Sequence, residues 1–203
     1  MELEALSSND HLLRHIAEPI TRKELHTLEM QASIERLLSY VYGHNNKGDE
    51  RSSTRPMTVG LSGPQVGFMR RLSVVDLAIG SKKFHDIHVL INPEIIKASK
   101  GLVTRREGCV NFAKIWGMVA RHQTVTVRAL DRSGNVITIE ARGWASALLQ
   151  HEIDHLNGIL FIDHLSDPKK AHYVETKDIK EYNHKTAASW PHTIDVSELV
   201  KPI

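Results

Sequence analysis

Apolar positions along the chain change their period several times, and each change predicts an element. In residues 21–42, Leu25, Leu28, Ala32, Leu38 and Val41 recur at broadly helical intervals behind Thr21 and Glu24, which have capping-box spacing. This predicts a helix on the outside of the domain. The stretch GHNNKGDERSSTRP, residues 43–56, has no apolar period and predicts a flexible surface loop. Short β-like runs follow at RLSVVDLAI (71–79), FHDIHVLINP (84–93) and GMVAR (117–121). QTVTVRALDRSGNVITIE (123–140) predicts a hairpin turning at Asp131 to Asn135. A second helix is predicted over 143–157, where Leu148, Leu149, Ile153 and Leu156 form an apolar stripe and Asn157-Gly158 supplies a left-handed stop. Beyond Asp163 the chain turns polar, with a helix start at Asp167 and Pro168 and a surface-laid tail over about 184–203.

Many short strands around one central helix, without β–α alternation, predict an α+β fold rather than a doubly wound sheet. The expected architecture is short, mostly antiparallel strands packed around the 143–157 helix, with the 21–42 helix peripheral. The 203 residues fit a single domain, 1–203, large enough to bury a core without disulfides, and one cysteine excludes an internal disulfide. No signal-peptide succession and no apolar run near 18 residues is present, so a soluble, intracellular protein is expected, with its thiol kept reduced. That means cytoplasmic, or organellar in a eukaryotic source. The net charge of +2 comes from scattered Lys and Arg, which makes no case for specific nucleic-acid or membrane binding.

The chemistry concentrates in QHEIDHLNG, residues 150–158. On a helix His151 and His155, four apart, can offer ring nitrogens to one ion, and Glu152 flanks it. With 13 histidines in the chain, H-E-x-x-H arises by chance roughly one time in twenty, so the motif needs support. A catalytic site of the zinc type takes three protein ligands and keeps a position for water. The only cysteine, Cys109, is the candidate third ligand; a lone cysteine is more often a small buried apolar residue, and the paired histidines reverse that preference. Asp154 lies off the histidine face and is expected to pair within the protein. Glu107 and Arg121 form either a structural pair or a support behind a ligand. Counting back from His151, Leu148, Ala147 and Trp144 share the metal-facing stripe and form an apolar substrate wall, or plain core. His44, His184 and His192 sit in polar surroundings and are expected at the surface.

GLSGPQ (60–65), EGCVN (107–111) and QHEIDHLNG, in that order, resemble the three motifs of peptide deformylase. The resemblance extends from DHLLRHIAEPI (10–20) to ILFIDHL (159–165). It implies that Cys109, His151 and His155 bind one divalent metal ion, that Glu152 is the general acid/base, and that Gln65 and the Val110 backbone N–H hold an oxyanion. It further implies an N-formyl-methionyl peptide substrate, with Val59 and Gly60 joining the substrate wall. It leans towards Fe(II) in the cell, with zinc or nickel in purified protein. Elementary chemistry gives compatible roles. A divalent ion acidifies water, a buried carboxylate can carry its proton to a leaving amine, and a carboxamide can donate to developing negative charge.

The chain departs from the usual pattern at Thr58, Ser62 and Gly63 in the first motif. It does so again at Asn111, where serine is usual, and in VNFAKIWGMVAR (110–121), which lacks a proline and carries Trp116. These changes bear on efficiency and substrate choice. Two alternatives stand beside a deformylase. One is a zinc endopeptidase drawing a further ligand from His164 or His172. The other is a deformylase-like binding protein that contacts a partner such as the ribosome.

Overall fold

The structure, a computed structural model, describes residues 3–42, 58–78, 85–197 and 199 of the chain. The loop expected at 43–56, with His44, lies outside the described residues. Strands β1 (Gly60–Ser62), β2 (Leu72–Asp76), β3 (Ile87–Ala98), β6 (Thr124–Leu130) and β7 (Val136–Arg142) form one antiparallel sheet in the order β1-β2-β3-β6-β7. Strands β4 (Leu102–Gly108), β5 (Ile115–His122), β8 (Ala171–Tyr173) and β9 (Thr193–Ile194) form a second, in the order β4-β5-β8-β9. The α+β class expected from the sequence is the one observed.

Helices cover both faces of the first sheet. The described helices are, in chain order, α1 (Arg22–Leu25), α2 (Leu28–Tyr42), α3 (Trp144–Leu156) and α4 (Ile179–His184), of which α2 and α3 pack on this sheet. Consecutive residues of β2 point oppositely, and both faces are apolar: Val74 packs with Ile34, Leu37 and Val41 of α2, and Val75 with Leu148, Leu149 and Ile153 of α3. α3 also meets β5 of the second sheet, so it is the element on which both sheets converge. Ten of its thirteen residues are buried, including His151, Glu152 and His155.

The helix expected over 21–42 is two. The Thr21–Glu24 capping box is present but serves the single turn of α1. Thr27 then donates to the Glu24 carbonyl at 2.7 Å and accepts from the Met30 N–H at 3.2 Å, which ends one helix and starts the next. The start expected at Asp167 has its cap, since the Asp167 side chain accepts from the Lys169 N–H. It yields only a 3-10 turn, Pro168–Lys170, because Ala171 enters β8 and pairs with β9. The described part of the tail expected at 184–203 is built in rather than laid on: Trp190 and Val196 are buried and β9 is a sheet strand. His184 and His192 are exposed, as expected.

Gly158 ends α3. Its φ of 71° is left-handed, the Ile159 N–H reaches back to the Asp154 carbonyl at 2.9 Å, and a Cβ there would overlap the Arg14 carbonyl. Gly158→Ala is expected to cost about 1–3 kcal/mol of stability. A lower urea midpoint at unchanged slope would show it; an unshifted midpoint would show that the chain after α3 relaxes freely.

Candidate active site

α3 presents its buried face to the turn after β4 and to the 3-10 turn Gly63–Val66 that follows β1. Cys109, His151 and His155 meet there, with their ligand atoms all within 4.8 Å of one another. His155 Nε2 lies 3.3 Å from His151 Nε2 and 3.4 Å from Cys109 Sγ. Bonds of about 2.0–2.1 Å to nitrogen and about 2.3 Å to sulfur, spread tetrahedrally, put ligand atoms roughly 3.3–3.6 Å apart. The three residues therefore fit one small divalent cation. Among the described residues no other group of three His, Cys, Asp or Glu side chains is placed to hold an ion. His164 instead pairs with Asp154 at 2.8 Å and His172 with the Tyr182 hydroxyl at 2.7 Å, so neither serves as the further ligand an endopeptidase would require.

Behind His151 runs a buried charge network. His151 Nδ1 lies 3.1 Å from Glu107 Oε2, which leaves its Nε2 turned towards Cys109 and His155. Arg121 grips Glu107 with two bonds, Nε to Oε1 and Nη2 to Oε2, both 2.9 Å, and also contacts Asp154. Glu107 and Arg121 are thus a buried structural pair, and Glu107 contacts His151 as well. Asp154 pairs within the protein, as its helical position predicts. Burial opposes the Glu107 carboxylate, yet hydrogen bonds from His151 and Arg121 and their charges overcome it and bring the carboxyl down to about 2. The His155 pKa is also driven down, well below the usual imidazole range, first by burial and then by the positive charge of His151, which favours its neutral form. A neutral imidazole is the form that binds a metal.

Glu152 follows the histidine and is 2% exposed. Burial raises its pKa, while the His151 charge and a hydrogen bond from Ser62 work to lower it. Gly60 lies against it: a Cβ on Gly60 would stand 2.5 Å from Glu152 Oε1 and 2.8 Å from Leu148 Cδ1, so any side chain there would have to displace the ends of Glu152 and Leu148. Gln65 is buried and faces the cluster, its Nε2 donating to Cys109 Sγ at 3.3 Å and its Oε1 accepting from the Ser62 N–H at 2.6 Å. Val110 directly follows Cys109 and packs partly against the α2 core. Ala147 and Leu148 are buried, and Val59 packs with Leu148 in the same cluster. Trp144 is set apart from the rest of the expected wall. It is 42% exposed and its ring lies under the Arg105 guanidinium, 5.0 Å from the ring centre.

Two positions that stand out in the sequence only as departures have structural partners here. Asn111 Nδ2 donates to the carbonyls of Leu6 and Gln65, each at 2.9 Å, and so ties the cysteine turn to the Gln65 turn. Ser62 donates towards Glu152. Ser73 joins it from β2, and its signal in the sequence was a polar residue inside the apolar run of a strand, LSVVD, that is buried throughout. Trp116 covers Gly108, next to the cysteine, and leans on Tyr182 of α4 with ring centres 5.9 Å apart.

A family model described as polypeptide deformylase matches residues 3–171. A peptide deformylase of Symbiobacterium thermophilum is 40% identical over 163 residues; the match covers 79% of this chain but spans only 65% of that relative's length. A peptide deformylase of Thermodesulfovibrio yellowstonii is 37% identical over 168 residues, 83% of this chain and 92% of its own. Among solved structures, a class I type b peptide deformylase of Acinetobacter baumannii with Met-Ala-Ser bound superposes with a TM-score of 0.70. It is 25% identical, and the superposition covers 81% of this chain and 99% of that one.

Proposed function

The chain belongs to the polypeptide deformylase family, and from that premise we propose that it removes the N-formyl group from the N-terminal methionine of newly made polypeptides, releasing formate. The observation that carries the reading is the convergence of Cys109 and the two α3 histidines beside Glu152 and Gln65. A binding protein without chemistry would have no use for that set. When bound, a divalent cation there supplies a Lewis acid that makes water acidic near neutral pH. Cys109, His151 and His155 hold it, and Glu107 fixes the ring of His151 from behind. Iron(II) is the ion proposed for the cell, since the donor set pairs a thiolate with imidazoles; zinc or nickel suits the same donors in purified protein. The compartment proposed is the cytoplasm, and no helix among the described residues is long and apolar enough to cross a membrane.

Glu152 takes a proton from the attacking water and delivers it to the amine nitrogen as the formyl C–N bond breaks. Gln65 Nε2 and the Val110 N–H donate to the formyl oxygen as it gains charge. Val59, Gly60, Ala147 and Leu148 form the apolar wall for the methionine side chain, with Trp144 at its exposed rim. The decisive experiment pairs metal analysis of anaerobically purified protein with formate release from a formyl-Met peptide. Near one ion per chain together with formate release supports the reading; metal-loaded protein that releases none sinks it.

Gln65→Leu tests the oxyanion role. The carboxamide matters most once charge has developed, so the turnover number is expected to fall about 10²- to 10³-fold while the Michaelis constant changes little. An unchanged turnover number would mean that other groups hold the oxyanion.

A further inference from the structure

We infer that Ser62, backed by Ser73, is a positioning residue that holds the Glu152 carboxylate by one oxygen and leaves the other on the Gly60 side for proton transfer. The inference rests on the deformylase reading for its consequence but on local geometry for its content. Ser62 and Ser73 are both fully buried, one at the end of β1 and the other opposite it on β2. Ser62 Oγ lies 2.6 Å from Glu152 Oε2, 2.9 Å from the Glu152 carbonyl oxygen and 2.8 Å from Ser73 Oγ.

A hydroxyl has one proton to give and two lone pairs. Of the acceptors within reach the carboxylate is the charged one and the closest, so the Ser62 proton goes to Oε2. The Ser73 hydroxyl, buried beside it, then satisfies itself by donating to Ser62 Oγ. A chain Ser73 → Ser62 → Glu152 follows, in which each donor is polarised by the next acceptor. Glu152 Oε1 is left next to Gly60 Cα, where no side chain can intervene. The resemblance that identified the first motif carries alanine near position 62, so the Ser62 hydroxyl departs from that common pattern. A methyl at 62 would fill the same space but leave the carboxylate free to rotate.

The test uses Ser62→Ala, Ser73→Ala and the double variant in the full-length, metal-loaded protein. Ser62→Ala is expected to lower kcat about tenfold, the scale of one lost bond to a charged group, with KM and metal content unchanged. Ser73→Ala is expected to lower it less, and the double variant to be no slower than Ser62→Ala, because Ser73 acts only through Ser62. A crystal structure of Ser62→Ala should show the Glu152 carboxylate displaced or split between positions. Full kcat in Ser62→Ala, additive losses in the double variant, or an unmoved Glu152 would each overturn the inference. The structural arm decides it even if the wild-type chain releases no formate, a result that would count against the deformylase reading instead.

Discussion

Replacing Glu152 with glutamine is expected to leave the metal content at the wild-type level and to lower formate release about 10²- to 10⁴-fold, the range that general acid–base catalysis contributes. Glutamine preserves the size of the side chain, and its amide oxygen can still accept from Ser62, so the packing against Gly60 and Leu148 survives. What it cannot do is bind and release a proton. The ligand atoms of Cys109, His151 and His155 are untouched, and the Glu107–Arg121 pair behind His151 stays in place. Loss of turnover with retained metal therefore separates a proton carrier from a residue that merely shapes the site. Retained turnover would remove Glu152 from the mechanism, and loss of metal together with turnover would recast it as part of the metal-holding structure.

The parts of this site that lie on one helix were legible in the sequence, because helical spacing converts directly into shared position. His151, Glu152, His155, Leu148 and the Gly158 stop all follow from the α3 pattern, and the observed helix, Trp144–Leu156, begins and ends within a residue of the expected one. The hairpin at Asp131–Asn135 was equally local. Its turn is held by the Asp131 carboxylate, which accepts from the N–H groups of Ser133 and Asn135 at 2.8 Å each.

Strand β4 was missed for an electrostatic reason. LVTRREG breaks the apolar alternation with charge, and that charge is acceptable because Glu107 finds buried Arg121 across the β4–β5 ladder. β1, β8 and β9 have three residues or fewer, too short for any period to show. The links from Arg121 to Asp154, from Asn111 to Gln65 and from Ser62 to Glu152 join segments 33 to 90 residues apart. Only the packing of both sheets on α3 brings them together. Motif order made Cys109 and Gln65 candidates, but their distances to the histidines and to each other belong to tertiary structure.

Cys109→Ser is expected to abolish metal retention while the chain still folds. Cys109 is only partly buried and packs at the edge of a core cluster rather than within it, and serine is no larger, so the substitution leaves little strain. Serine keeps a hydrogen-bonding atom near Gln65 Nε2 and Asn111 Oδ1, which lie 3.3 and 3.5 Å from the sulfur. An alcohol, however, stays protonated where a thiol gives up its proton to a cation, and it is the harder and weaker donor for iron or zinc. His151 and His155 alone then hold the ion with two bonds instead of three. Dialysis against a chelator should strip the variant under conditions in which the wild type keeps close to one ion per chain. Thermal unfolding provides a second measure, because an ion that binds only the folded state stabilises it by about 2.7 kcal/mol at 100 times its Kd. Added metal should raise the Tm of stripped wild-type protein and leave that of Cys109→Ser unmoved. Equal stoichiometry after dialysis, or an equal rise in Tm, would make Cys109 a structural residue and leave the two histidines to find their third ligand elsewhere.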